Sequence, residues 1–340
     1  MITLLISTIV APGPTTLVLK GLDPIALVAG QEVAGKPDLV ASYGRYEYRF
    51  ANAANLAKFK SNPVANSVQT GGACGKMGAL TGKGSPDRWA VVDGKIFLFA
   101  SDGCRTTFLA TKEKYFAPIP TAPAASAMER QAAAELYSKT LEAHGGERAI
   151  RASGTILWTI DTPYQQGGRK LIWHTRNAIV SPTKFANWED WDAGKVYFAI
   201  DGNKSADGKP GENYVIHPAE VRELTARMAR HPFGILKGAG GTPIQPFGDG
   251  FTMARGDIVF DVVLDSQTGR ITQVRYRDRQ AGPVASVAVE YSGYEKLNGV
   301  WLPRASRINV DGKGWSKLTS INSLEMNAPT PSIFADAFGK

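Results

Sequence analysis

From residue 150 onward, strand-like runs alternate with turn signals at a spacing of roughly eight to twelve residues. The runs are Thr155–Ile160, Lys170–Thr175, Lys184–Trp191, Lys195–Ile200, Ile258–Leu264, Ile271–Tyr276, Val284–Tyr291 and Arg304–Val310. Turn dipeptides stand between many of them: Asp201-Gly202, Thr268-Gly269, Asn298-Gly299 and Asp311-Gly312. Short turns can join only antiparallel neighbours. The pattern therefore predicts an antiparallel meander, closed or strongly curled. A sheet this long with few helices normally curls around its own side chains or around an apolar ligand. One helix interrupts it, Pro218 to Arg230, with Val221, Leu224 and Met228 at helical spacing. It is expected to lie across the mouth of the curled sheet as a lid.

A Pro/Ala/Ser stretch at residues 118–127 reads as a linker and divides the chain. Directly after it, Met128 to His144 has the best helical pattern in the sequence. Ser126 is placed to cap it and Gly145-Gly146 to end it. Before the linker, strand hairpins and helices alternate twice. Leu39–Tyr43 and Tyr46–Phe50 flank Gly44-Arg45, and a short helix follows over Asn52 to Ser61. Trp89–Val92 and Lys95–Phe99 flank Asp93-Gly94, with a second helix over Arg105 to Tyr115. The expected class is thus α+β, mostly antiparallel β. Its parts are an apolar segment at 1–19, a small α+β domain at 20–117, the linker at 118–127, and a curled sheet with a lid helix, a half-barrel, at 128–340.

The 340 residues are 43 % hydrophobic and 21 % charged, enough apolar material for real cores. The formal net charge is +8. The densest basic stretches, Arg222–Arg230 and Arg270–Arg279, are interleaved with acids and hydrophobics, and no run of lysine or arginine exists. Neither stretch has the stacking aromatics of an RNA binder, so nucleic acid is not an expected partner. The basic residues read as a solvated surface, with contact to an anionic membrane surface as the other reading. Ile2 to Ala11 is apolar but far short of the roughly 20 residues that span a bilayer. It reads either as the core of a signal peptide, though without a preceding basic residue and with Pro12 beside Ala11, or as a buried first strand.

The chain has two cysteines, Cys74 in Gly71-Gly72-Ala73-Cys74-Gly75-Lys76-Met77 and Cys104 in Phe99-Ala100-Ser101-Asp102-Gly103-Cys104. Three readings stand open. Cys74, Cys104 and Met77 offer two thiolates and a thioether, a soft donor set suited to Cu(I). A disulfide would close a 30-residue loop, stabilising the fold by about 3–4 kcal/mol. Two free thiols are the third reading. All four histidines lie beyond the linker, so the first domain lacks the further donors that zinc would want.

Several phrases before the linker, taken in order, resemble the YHS domain family. They are Gly21-Leu22-Asp23-Pro24-Ile25-Ala26, Tyr46 through Asn55, Phe59 through Pro63, Gly71-Gly72-Ala73-Cys74, Trp89 through Lys95, and Phe99 through Cys104. The resemblance implies a small α+β module of the kind found beside copper pumps and sensors. Those versions carry a Cys-Gly-Met phrase before a Phe-Cys-Ser-x-x-Cys phrase. Here Ala100 replaces the first cysteine of the second phrase, and Lys76 is inserted before Met77. Residues 128–338 resemble outer-membrane lipoprotein carriers of the LolA type. The matching signs are the helix ending His144-Gly145-Gly146, Asn298 through Pro303, and the closing Met326-Asn327-Ala328-Pro329 with Ser332-Ile333-Phe334. This resemblance implies an exported, periplasmic or envelope protein with an apolar cavity for acyl chains, envelope protein partners and no catalysis.

No Gly-x-Ser-x-Gly, phosphate-loop or dinucleotide fingerprint is present. His144 and His231 end or follow helices, where a charged ring would meet the helix dipole favourably. Trp188-Glu189-Asp190-Trp191-Asp192 is the one acid cluster among aromatics. It is the place for a carbohydrate-active or other enzyme site, although a turn between strands explains it more simply. Trp158, Trp173, Trp188, Tyr197, Phe260, Tyr276 and Tyr291 are the candidate pocket lining, with core packing as the competing reading.

Overall fold

The computed structural model describes residues 15–166, 168–191, 194–208, 214–279 and 282–338. The chain forms two packed units joined by an irregular segment over 117–126. The apolar run Ile2 to Ala11, with its signal-peptide and first-strand readings, lies outside the described residues. The end of the segment at 1–19 does not: Thr16–Leu17 pairs in parallel with the strand Tyr46–Phe50, and Val18 and Leu19 are buried. The first unit therefore takes in residues ahead of the boundary expected at 20.

Both expected hairpins of this unit form, Lys36–Tyr43 with Tyr46–Phe50 and Ser85–Val92 with Lys95–Phe99. The second turns at Asp93 and Gly94, whose φ values of 50° and 72° match the twist of the flanking strands. Asp23 is fully buried. Its carboxylate accepts from Ile25 N at 2.8 Å, capping the helix Pro24–Val28, and from Ala51 N at 2.7 Å and Asn55 Nδ2 at 2.8 Å. One carboxylate thus ties two distant phrases of the sequence together. The helix expected over 105–115 is two, Asp102–Ala110 and Lys112–Tyr115. Between them Thr111 has φ −136°, and its hydroxyl donates to Thr107 O instead.

In the second unit, Ala127–Ala143 is capped as its sequence requires. Ser126 Oγ accepts from Glu129 N at 3.2 Å and Glu129 Oε2 accepts from Ser126 N at 2.7 Å. The strands form a six-stranded and a seven-stranded antiparallel sheet. Thr319–Ser320 pairs with Ala305–Val310 of the larger sheet, and Ser323–Ala328 then pairs with Thr155–Gln166 of the smaller. One polypeptide run bridges the two, giving the curled antiparallel layer.

The interior of the curl is packed. Pro218–Arg230 puts Leu224 and Met228 against Ile156, Trp158, Phe185 and Phe198 of the six-stranded sheet. It puts Ala226 and Ala229 against Phe251, Met253 and Phe260 of the seven-stranded sheet, where Ala133 of the preceding helix joins them. This helix is a central plug rather than a cover over an empty bowl. The C-terminal helix Ile333–Phe338 packs on the other face of the six-stranded sheet, against Ala186, Tyr197 and Ala199.

The histidines are not helix-end cations. His144 is fully buried, with Nδ1 bonded to Trp301 O at 2.6 Å and Nε2 accepting from Ile271 N at 3.2 Å. Burial pulls it down to about 4. His231 stacks on Trp158 at 4.8 Å, and burial pulls it down to about 3. Burial, with Lys83 adding to it, pulls His217 down to about 4. All three are neutral in the fold and titrate near 6.5 when unfolded. Below pH 6.5 the unfolded chain binds protons that the native chain refuses, so stability present above pH 6.5 is lost as pH falls. Between pH 6.5 and pH 5 the three together are expected to remove about 5 kcal/mol. Urea midpoints across that interval check this, and an unchanged midpoint would contradict it.

Candidate functional site

The two units meet across a buried set of charges. Arg45 of the first unit bonds Asp207 at 2.7 Å, and Lys83 reaches Glu220 at 2.7 Å and Asp207 at 3.5 Å. Glu220 stands in the first turn of Pro218–Arg230, and its side chain is 2 % exposed. Burial disfavours the charge on Lys83, but Glu220 and Asp207 outweigh it and hold the ammonium above its ordinary range. The approach is close enough to need glycine. A Cβ on Gly71, whose φ is +60°, would stand 1.8 Å from Glu220 Oε2.

Beside this contact lies a cavity of about 920 Å³. The first unit contributes an apolar wall that includes Met77, Leu80, Phe97, Phe108, Tyr115 and Phe116. The second contributes Trp173, Val274, Tyr276, Val289 and Tyr291 from its sheets, and Arg222, Glu223, Arg227 and Arg230 from one face of Pro218–Arg230. Arg230 lies over the Tyr276 ring at 4.0 Å. Arg230 and Arg222 both pair with Asp278, which is wholly buried behind them. These pairs hold the Asp278 carboxyl below the usual carboxylate range against the upward push of its burial.

The cysteines lie behind the apolar wall. Cys74 is fully buried and its Sγ accepts from Ala100 N at 3.4 Å. Cys104 is half-buried in the first turn of Asp102–Ala110, where Ser101 caps the helix and accepts from Cys104 N at 3.1 Å. Both cysteines and Met77 belong to one cluster with Phe97, Phe99, Phe108 and Tyr115. The Cys104 thiol sits below its ordinary range through hydrogen bonds with Ser101 and Cys74 and the charge of Lys76, against a smaller upward push from burial. Both cysteines are free, so the disulfide reading does not describe this structure. Among the described residues no group of three or more His, Cys, Asp or Glu side chains converges.

The seven aromatics expected to line a pocket separate into three sets. Trp173, Tyr276 and Tyr291 line the cavity. Trp158 is core beneath it, stacked on the cavity-lining His231. Trp188 and Tyr197 pack on the opposite face of their sheet, by the C-terminal helix. Phe260 is core beneath Pro218–Arg230. The strand pattern marked these residues as apolar sheet positions but not which face of the sheet each would join or which face met a void.

Glu189 and Asp190 of the acid cluster do not face each other. Asp192 lies outside the described residues. Glu189 and Asp190 are successive residues of the strand Lys184–Trp191 and so face opposite sides. Glu189 is buried and lines the cavity, and burial pushes its carboxyl up against the pull of Arg227. Asp190 pairs with Lys195 at 3.3 Å. The basic stretches also differ from expectation. Arg222, Arg227, Arg230 and Arg279 border the cavity rather than a uniformly solvated surface. On the helix their signal was the spacing of Arg222, Arg227 and Arg230, away from the stripe of Val221, Leu224 and Met228.

Among the described residues no helix is long and apolar enough to cross a membrane. No family model matches the chain, and no curated protein matches it. Solved structures do. One is a domain of an outer membrane lipoprotein-sorting protein from Vibrio parahaemolyticus, 11 % identical, covering 60 % of this chain and 96 % of that one, with TM-score 0.36. Another is a LolA superfamily protein from Nitrosomonas europaea, 9 % identical, covering 59 % of this chain and 96 % of that one, with TM-score 0.41. A third is a DUF1329 family protein from Desulfovibrio piger, 9 % identical, covering 59 % of this chain and 96 % of that one, with TM-score 0.36.

Proposed function

We propose that the chain is a non-catalytic envelope binding protein that holds an apolar, lipid-like ligand between its two units. The observation that carries this reading is the cavity of about 920 Å³ with aromatic and aliphatic walls from both units. That size lies in the range of roughly 300–1,000 Å³ that small-molecule sites occupy. A space lined by Phe97, Phe108, Val274 and Val289 favours hydrocarbon over water. Among the described residues of the acid cluster, Glu189 and Asp190 face opposite sides of their strand. The envelope location rests on the sequence resemblance of residues 128–338 to lipoprotein carriers. A neutral apolar dye such as Nile red should bind saturably at about one per chain. Absence of saturable binding would overturn the reading.

A second role is supported by the meeting of Cys74, Cys104 and Met77 in one cluster of the YHS-like unit. Two thiolates and a thioether fit Cu(I) at low coordination number, whereas a structural zinc site takes four ligands. Cys74 and Cys104 would anchor the ion as thiolates, with the Met77 thioether as the third soft donor. Reduced protein is expected to bind one Cu(I), and the Cys74→Ser/Cys104→Ser variant none. Full binding by that variant would contradict the assignment. Thiol counting under denaturing conditions without reductant should return two free thiols.

A further inference from the structure

The charge on the cavity wall is one-sided. Among the described residues five cationic side chains border it, Lys95, Arg222, Arg227, Arg230 and Arg279, against two carboxylates, Glu189 and Glu223. The carboxyl of Glu189 is already pushed toward its neutral form by burial. Asp278 answers Arg222 and Arg230 from behind but lies wholly buried beneath them, and Asp257 pairs with Arg222 Nε at 2.5 Å from outside the cavity wall, so the uncompensated charge rests chiefly on Arg227 and Arg279. Arg227 has one contact to Glu223, at 3.5 Å. Arg279 makes no ion pair with any described residue through its guanidinium.

The inner arginines are held in place yet incompletely satisfied. Arg230 is 8 % exposed, clamped between Asp278 and the face of Tyr276. Among the described residues its Nε has no hydrogen-bond partner, and neither has Nη2 of Arg222. Guanidinium groups fixed by a carboxylate and an aromatic ring have lost little further freedom to bind an anion. Facing them across the same cavity is hydrocarbon: Met77, Phe97 and Phe108. A wholly apolar ligand would leave this excess charge partly desolvated without compensation, which is costly.

We propose that Arg222, Arg227, Arg230 and Arg279 form an oxyanion subsite that reads the carboxylate or phosphate head of a single-chain amphipathic lipid. Arg227 and Arg279, the more exposed pair, meet the head, and the two inner arginines complete the positive field. This rests on the ligand reading above and adds to it the polar half of the ligand.

The test is displacement of a bound neutral dye from the full chain by hexadecanol, hexadecanoate and a hexadecanoyl lysophosphatidic acid. The two anions should bind about tenfold to a hundredfold more tightly than the alcohol. In Arg227→Gln/Arg279→Gln, that preference should fall by about tenfold. Millimolar inorganic phosphate should weaken the lysophosphatidic acid selectively if the phosphate group itself is recognised. Preference for the carboxylate without an effect of phosphate would assign the subsite to fatty acids. Equal affinity for alcohol and acids in the native chain would overturn the subsite while leaving the apolar cavity intact. Failure of all three lipids and the dye to bind would overturn both. A preference undiminished in the double variant would overturn the arginine assignment.

Discussion

Replacing Lys83 by methionine is expected to destabilise the protein by about 3–5 kcal/mol. Lys83 is the cation that Glu220 bonds at 2.7 Å, and Asp207 lies 3.5 Å from the same ammonium. The Glu220 side chain is 2 % exposed, so truncation leaves a carboxylate with neither water nor a partner. Arg45 cannot take over, because it is already committed to Asp207 and to the Tyr214 ring at 4.7 Å. The loss therefore falls on the contact between the units. Adding Glu220→Gln to Lys83→Met should recover part of the stability, since the larger cost is the orphaned charge rather than the missing attraction. Urea unfolding of the single and double variants measures this. A single variant within about 1 kcal/mol of the parent would show that the charge cluster does not join the units.

Phe108→Ala should cost about 3–5 kcal/mol. Phe108 is 1 % exposed and touches four other rings, Phe97 at 5.2 Å, Phe99 at 5.3 Å, Tyr115 at 4.6 Å and Phe116 at 6.1 Å. It forms part of the wall between the cavity and the cysteines, which makes the substitution informative beyond stability. Its removal should join the ligand space to the thiol cluster. In a Cys104→Ser background, Cys74 should then react with a thiol reagent at least tenfold faster than with Phe108 in place. Unfolding by urea gives the energy and absorbance of the released chromophore gives the rate. An unchanged rate would contradict the placement of Phe108 as the partition.

Local order was legible wherever the sequence carries its own punctuation. Asp93-Gly94 marks a two-residue turn because both residues must take positive φ, and they do. Ser126 and Glu129 mark a helix start because each satisfies the other's backbone donor. Pro218–Arg230 was readable from its apolar spacing and occupies the expected span. What could not be read locally was what each face would meet. The helix was expected to cover a bowl, but Leu224, Met228, Ala226 and Ala229 fill the curl from within. The cavity then falls between the units, a place that no one segment encodes. For the same reason, Arg222 and Arg230 read as surface charge, although their partner Asp278 lies 48 residues beyond Arg230. The bond between them appears only once the strand Ile271–Arg279 has docked beside the helix. His144 is a similar case. Its position at a helix end suggested a cation, but Trp301 O and Ile271 N claim both ring nitrogens from distant segments.

Native mass spectrometry after loading with a single-chain lipid tests the central claim most directly. The parent chain should carry one lipid. A Val289→Trp variant, which places an indole in the cavity that Val289 lines, should carry none while keeping the parent's far-ultraviolet circular dichroism and a cooperative urea transition. A parent chain that stays unloaded, or a folded Val289→Trp variant that still carries one lipid, would contradict the account.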